Sequence, residues 1–447
     1  MLGYIFTLAM TAYGVGYGWL NPVVGLMVYY CFAVLRPAHL WFWSVGESGG
    51  RYLLMVAVAT IIGWLINGMG DWSKIKYVKW PMLGLLVYLL AGAVGTFFIA
   101  ENRDVAWKFY EPQIKSGFIV LLALTLFTTA RTIQIFAWVI TLSFGYLAYS
   151  LNERYLEYPP FLLFMGWGGI DNNGAGMIMV MGVPLTLFMG LHARNWLVRG
   201  LCFFFTLCLI HVVLFSFSRG AQLGLIIVGL MTFVAILIAL PNKGLTLLLG
   251  VVAVMITLAL AGAEVREEFW TIFASPEERD ESAASRYVTW AAGWRCMLDN
   301  PMGVGPRNFN LIANQYGLAR GKSIHNLYLQ TGADYGFAGM FGLMLFYFGA
   351  AWQAFLLSIS AAAKQLGWPR HFGQMVCISI AGFAICSMFI GMETVEHGFV
   401  IGAVGLCTVA YVRDLALREA AFRQMPVPEL QQVPLYEPTP IASARFA

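Results

Sequence analysis

Charge is what this sequence has least of. Only 11% of its residues are charged against 60% hydrophobic, where a soluble chain carries about 25% charged residues. Long stretches such as Tyr52 to Gly70 and Trp80 to Ala100 hold no charge at all. That excludes a soluble domain hidden between them and marks a polytopic membrane protein. The formal net charge is only +4, and the basic residues stand beside apolar runs, so they read as orientation signals and not as a nucleic-acid surface. No DNA or RNA partner is expected. P-loop, dinucleotide-fingerprint, HExxH and DxD patterns are missing, so the expected chemistry uses no nucleotide, no catalytic metal and no cofactor. The seven cysteines include no CxxC pair and lie almost wholly within apolar runs, where a thiol acts as a small hydrophobe. No internal repeat of fixed period is present.

What the chain has instead is apolar runs near residues 2–19, 21–35, 52–67, 79–99, 114–130, 132–150, 173–191, 196–216, 219–240, 243–262, 335–360, 373–391 and 396–412. Asn21-Pro22 separates the first two, which form either one hairpin or one span with an interfacial piece. Met1 to Leu20 lacks a basic leader and is expected to be a retained span or signal anchor. The fold class expected is an all-α membrane protein of about 12 transmembrane helices with one large periplasmic loop containing short helices. Lysine and arginine cluster in alternate loops: Lys74, Lys76 and Lys79; Arg131; Arg194 and Arg199; Lys243; Lys364 and Arg370; and Arg413, Arg418 and Arg423. By the positive-inside rule those loops are cytoplasmic, which turns the stretch between Ala261 and Gly336 outward. The expected domains are an N-terminal transmembrane bundle (1–262), a periplasmic loop (263–334), C-terminal transmembrane helices (335–413) and a disordered cytoplasmic tail (414–447) rich in Pro and Gln.

Candidate chemistry gathers in three places. Phe215-Ser216-Phe217-Ser218-Arg219-Gly220 puts an arginine between two apolar runs with no carboxylate nearby in sequence. Such an arginine snorkels, pairs or binds an anion, and Ser218 with its neighbours supplies donors suited to a phosphate group. In the polar loop, Ser282 or Ser285 can cap a helix reaching Leu298, on which Arg286, Trp290, Gly293, Trp294 and Met297 share one face. That face suits the membrane interface, or the tryptophans simply seat the loop on the spans. Pro301-Met302-Gly303-Val304-Gly305-Pro306-Arg307 forces a tight turn whose amides either surround a diphosphate or pack.

The third place is Ser323-Ile324-His325-Asn326. His325 is the loop's one histidine, and an imidazole of ordinary pKa about 6.5 accepts a proton from a hydroxyl as a guanidinium cannot. A lone histidine is more often structural, so its partners decide. Asp334 either orients an acceptor or pairs with Arg320 or Lys322. Glu393, Glu396 and His397 form a second outward cluster, and Asp171-Asn172-Asn173-Gly174 is a turn at the mouth of a span. One potential base with several arginines in a membrane protein suits transfer from an anionic lipid donor to a hydroxyl acceptor.

These residues, in this order, resemble the superfamily of O-antigen ligases and O-antigen polymerases. The resemblance rests on SFSRGAQLGL (Ser216 to Leu225), SRYVTWAAGWRCMLDNPMGVGPRNF (Ser285 to Phe309) and SIHNLYLQTGADYGFAGM (Ser323 to Met340). It implies a metal-independent, inverting glycosyltransferase of a bacterial inner membrane with its active site facing the periplasm. The donor implied is a polyprenyl (undecaprenyl) diphosphate-linked glycan, and the acceptor a hydroxyl on a lipid A core or a protein. Arg219 and Arg286 correspond to the family's diphosphate arginines and His325 to the histidine that activates the acceptor. Ser218, Arg307 and Asp334 are further substrate-binding candidates. Asp334 stands where relatives carry glutamate and Arg307 where a small residue is common, which puts their specific roles in doubt. Leu20-Asn21-Pro22 and Leu35-Arg36-Pro37 resemble the branch described as O-glycosylation ligases. The alternatives are a polysaccharide polymerase of the same superfamily and a lipid-linked glycan transporter, for which His325 would be dispensable.

Overall fold

A computed structural model of the chain describes residues 1–46, 49–159, 161, 166–239, 241–270, 281–391 and 396–424. Its longer helices, in chain order, are α1 (Leu2–Gly18), α2 (Pro22–Leu35), α3 (Gly49–Ile66), α4 (Lys79–Val94), α5 (Arg103–Leu126), α6 (Ala130–Glu157), α7 (Asn172–His192), α8 (Trp196–Phe215), α9 (Arg219–Ala239), α10 (Lys243–Leu260), α11 (Gly262–Trp270), α12 (Glu281–Asp299), α13 (Leu327–Ile359), α14 (Trp368–Cys386) and α15 (His397–Gln424). Every apolar run of the sequence overlaps one of them. No strand forms among the described residues, where a single bridge pairs Trp167 with Ile170.

Eight described helical stretches are long and apolar enough to cross a membrane: Pro22–Leu40, Trp72–Ile99, Ala130–Glu157, Asn172–His192, Trp196–Phe215, Arg219–Ala239, Leu327–Ile359 and His397–Arg423. The chain is thus a multi-pass membrane protein. The expected figure of about 12 counts further helices as spans. Of these, the apolar stretches Gly50–Ile66 and Lys243–Thr257 are shorter, and α5 opens on Arg103, Asp104, Lys108, Glu111 and Lys115. The first two runs are separate helices, because Asn21 caps α2 by accepting from the Val23 amide.

Short polar side chains start most of these helices. Asn102, Thr129, Asp171, Asn195, Asn242 and Asn326 each accept from an amide in the first turn of the helix that follows. Each cap satisfies donors that the helix cannot, a requirement sharpened where water is scarce. The last helix continues beyond Arg413 to Gln424 and is pinned by its Asp414, which receives the Lys74 ammonium at 2.5 Å and the Tyr77 hydroxyl at 2.9 Å. Of the expected tail, residues 425–447 lie outside the described residues.

The centre of the bundle is α7, buried on nearly all sides from Gly174 to Met189 and packed against α6, α8, α9 and α14. Its polar contacts are few and paired: Thr186 meets Thr206 at 2.8 Å, and Ser379 donates to the Met181 carbonyl at 2.8 Å. The other close packing is α4 against α13. There an ideal Cβ on Gly84 would lie 2.6 Å from the Gly342 carbonyl oxygen, and one on Gly342 would lie 2.7 Å from the Tyr88 nitrogen. Backbones touch where side chains would otherwise hold them apart, as small residues permit between membrane helices.

One break in α13 shapes the functional end. Gly336 adopts φ 72° and ψ −179° inside the helix. A continuous helix would bond the amides of residues 337 and 338 to the carbonyls of Ala333 and Asp334. Here Val304 and Gly305 donate to those carbonyls at 2.9 and 2.8 Å, while the Phe337 amide turns to the Pro301 carbonyl at 3.0 Å. The Pro301–Gly305 turn therefore repairs the break.

Gly342→Val forces a branched side chain into the α4–α13 contact, at an expected cost of about 1–3 kcal/mol. Thermal unfolding of the purified protein in detergent should show a lowered melting temperature, and an unchanged one would contradict so close an approach.

Candidate functional site

Four helix ends meet at one end of the bundle. Asn172, opening α7, donates its side-chain amide to the Ser216 carbonyl at 2.8 Å, which fixes the Ser216–Ser218 turn before α9. The turn reverses through Phe217 at φ 50°, and Arg219 becomes the first residue of α9. The next residue, Gly220, lies against Phe389, with an ideal Cβ 3.1 Å from that side chain. The Arg286 guanidinium of α12 stands 5.8 Å from the centroid of the same ring, and Trp290 packs on it at 6.2 Å. Phe389 thus lies between the start of α9 and the arginine of the polar loop.

His325 enters from the fourth side. The chain before α13 is tied to the end of α14 by Leu327, whose amide donates to the Ser387 carbonyl at 2.8 Å, and by Asn326, whose side chain donates to the Met388 carbonyl at 3.1 Å. Thr289, one turn along α12 from Arg286, donates its hydroxyl to the Ile324 carbonyl at 3.0 Å. Gly391 approaches the His325 backbone to within 3.9 Å of an ideal Cβ. His325 itself is part-buried with φ 52°. Burial holds its imidazole pKa below the ordinary value of 6.5, and the charges of Lys322, Arg286 and Arg307 push the same way, partly offset by Asp171. The ring is consequently neutral at pH 7, a potential proton acceptor in a field of cations. The amino ends of α7, α9 and α13 add positive dipole ends to that field.

The remaining candidates behave differently. Ser218 is 1% exposed and its hydroxyl accepts from the Ala221 amide at 3.3 Å, so it caps α9. Asp334 is fully buried, and its carboxylate accepts from the Phe309 amide at 3.0 Å and the Gln330 side chain at 2.8 Å. Neither the expected pairing with Arg320 or Lys322 nor an opening toward an acceptor is found there. Arg307, at φ 60°, lays its guanidinium over Phe109 at 5.2 Å. The glycine-rich turn is a packing turn: the amides of Gly303, Val304, Gly305, Asn308 and Phe309 are all bonded within the protein. Trp290 and Trp294 seat α12, the latter edge-on to Phe337 at 6.1 Å. Of the second outward cluster, Glu393 lies outside the described residues and His397 is buried between Phe144 and Trp167.

Compared with known proteins, residues 204–344 match the family model described as O-antigen ligase. The match supports a likeness to the O-antigen ligase superfamily over this part of the chain. No curated protein gives a significant match. The O-antigen ligase match runs from within α8 to α13, so it contains Arg219, Arg286, Arg307, His325 and Asp334 and leaves α1 to α7 uncovered. The matched family implies a glycosyltransferase-type enzyme in the broad sense, with a lipid-linked glycan and an acceptor as partners in general. Sequence reasoning passed over two residues of this candidate site. Phe389 carries no motif, being one of 33 phenylalanines. Gln330 lies one turn after Asn326 in the His325 motif, and only a buried polar position on an apolar helix face could have flagged it.

With the folded-state pKa of His325 below 6.5, the unfolded chain takes up its proton first as pH falls, so this residue destabilises the fold on acidification through that value and is neutral in effect above it. Removing a neighbouring positive charge by Lys322→Gln should raise the imidazole pKa. Histidine-selective NMR titration in nanodiscs measures it, and a downward or absent shift would contradict the proximity of the two groups.

Proposed function

We propose that this protein transfers a glycan from a polyprenyl diphosphate carrier to a hydroxyl acceptor, without a metal and with inversion, at the periplasmic face of a bacterial inner membrane. The observation that carries the reading is the place of His325, tied through Ile324 to the helix of Arg286 and through Asn326 and Leu327 to the end of α14, at the end of the bundle where α9 begins with Arg219. Sugar–phosphate cleavage develops negative charge on the departing diphosphate, which fixed guanidiniums and helix amino ends stabilise. The imidazole of His325 takes the proton from the acceptor hydroxyl as its oxygen bonds to the anomeric carbon and the bond to the diphosphate oxygen breaks. In this reading Arg219 and Arg286 bind the diphosphate, Arg307 adds to the positive field, and the acceptor is a lipid A core or a protein side chain.

Ser218 and Asp334 support the site from behind, through the cap of α9 and the turn before Arg307. A pure transporter would use the same cations but gives the neutral histidine nothing to do. Ligation and polymerisation of glycan repeats share this chemistry and differ in the acceptor.

Arg219→Ala and Arg286→Ala should each weaken donor retention by about 10- to 100-fold, the loss of one charge-assisted contact. Co-purifying polyprenyl diphosphate lipid reads it out in nanodiscs. His325→Ala should retain donor and release no free polyprenyl diphosphate when acceptor is added. Full release in that variant would remove the histidine from the mechanism, and product length separates single ligation from polymerisation.

A further inference from the structure

We propose that Gln330 is the positioning residue of His325, acting through the peptide that precedes it. Its side chain is fully buried, and each end of the amide has a defined partner. The carbonyl oxygen accepts from the Ile324 amide at 3.0 Å, and the amino group donates to the Asp334 carboxylate at 2.8 Å and to the Asn310 side-chain oxygen at 3.2 Å. A backbone amide donates only, so it must face the side-chain carbonyl oxygen, and the amide has one workable orientation.

The connection extends in both directions. Asp334 also holds the Phe309 amide at 3.0 Å, two residues past Arg307. Asn310 is bound to Gly321 both ways, its side chain donating to the Gly321 carbonyl at 3.2 Å and its carbonyl accepting from the Gly321 amide at 2.8 Å. Gln330 therefore joins the segments that deliver Arg307, Lys322 and His325. Its bond to Ile324 falls one peptide before the position where the chain turns to φ 52°. A non-glycine residue stays in that conformation only when its surroundings over-determine it. Thr289 holds the Ile324 carbonyl from the α12 side, Ser387 and Met388 hold the residues after His325, and Gln330 supplies the bond from beneath.

Removing that bond leaves both the cations and the imidazole in place but frees the peptide between them. Gln330 touches no substrate in this arrangement, and the inference rests on the proposed transfer only in giving His325 a proton to accept.

The test is Gln330→Met, which keeps the volume and removes all three hydrogen bonds, in the full-length protein in nanodiscs. The chain has six histidines, so isotope-labelled imidazoles resolve and the His325→Ala spectrum identifies the one of interest. The expected result is an upward shift of the His325 pKa toward its ordinary 6.5 as the ring gains water, with kcat for polyprenyl diphosphate release down by up to about 100-fold and donor KM little changed. An unmoved His325 titration in a variant that melts like the wild type overturns the inference. If Gln330→Met is not recovered folded, Gln330→Asn, too short to reach Ile324, takes the same titration with the same two readings. Wild-type protein that releases no polyprenyl diphosphate, together with a shifted His325 in Gln330→Met, sinks the proposed transfer and leaves the positioning role standing.

Discussion

A backbone group buried in a membrane protein has to find a partner inside the protein, and at the functional end that requirement is met by exchange. Gly336 interrupts α13, and the groups released there are taken up by residues 301–305. The turn is held to the helix through backbone bonds, so the polar loop cannot drift away from the span that follows it. Glycine is required on both sides: a Cβ on Gly303 would lie 2.4 Å from the Gly336 nitrogen, and one on Gly336 2.5 Å from the Pro301 oxygen. From this joint the chain runs to Arg307 in one direction and back along the first turns of α13 to His325 in the other.

The electrostatic character of the site follows from that geometry. Lys322, Arg286 and Arg307 come from three separate segments, and their charges all act on one imidazole that is already partly desolvated. Like charges gather at a cost unless an anion completes them, which is the physical case for an anionic ligand at this end. The aromatic ring of Phe389 packs against Gly220 at the start of α9 and lies beneath the Arg286 guanidinium, so one side chain touches both segments. The match to the O-antigen ligase family model, residues 204–344, covers Arg219, Arg286, Arg307, Lys322 and His325 but not Phe389 or Asp171.

The sequence made the helices legible because uncharged runs and the Asn, Asp or Thr before them are local signals. Arg219, Arg286 and His325 could be picked out because each is a polar residue in surroundings that make polarity costly. Their meeting at one end of the bundle is the part the structure supplies. Asp334 resisted reading: its partner amide at Phe309 is 25 residues away, and nothing local distinguishes a buried tether from a carboxylate facing substrate. The turn at Gly303 and Gly305 was equally open between a phosphate cradle and a packing turn, because backbone-to-backbone bonds leave no side-chain signature beyond the glycines themselves. Length and apolarity among the described residues single out eight spans, and α5 is not one of them because a charged first half precedes its hydrophobic second half.

Phe217, Arg307 and His325 are three of the five non-glycine residues with positive φ among those described. Each such residue stores about 1–3 kcal/mol of strain, and all three lie in the segments that build the site. Two evolutionary pressures therefore pull against one another here. Glycine at Arg307 or His325 would relieve the backbone there, while removing the guanidinium or the imidazole that the turn carries.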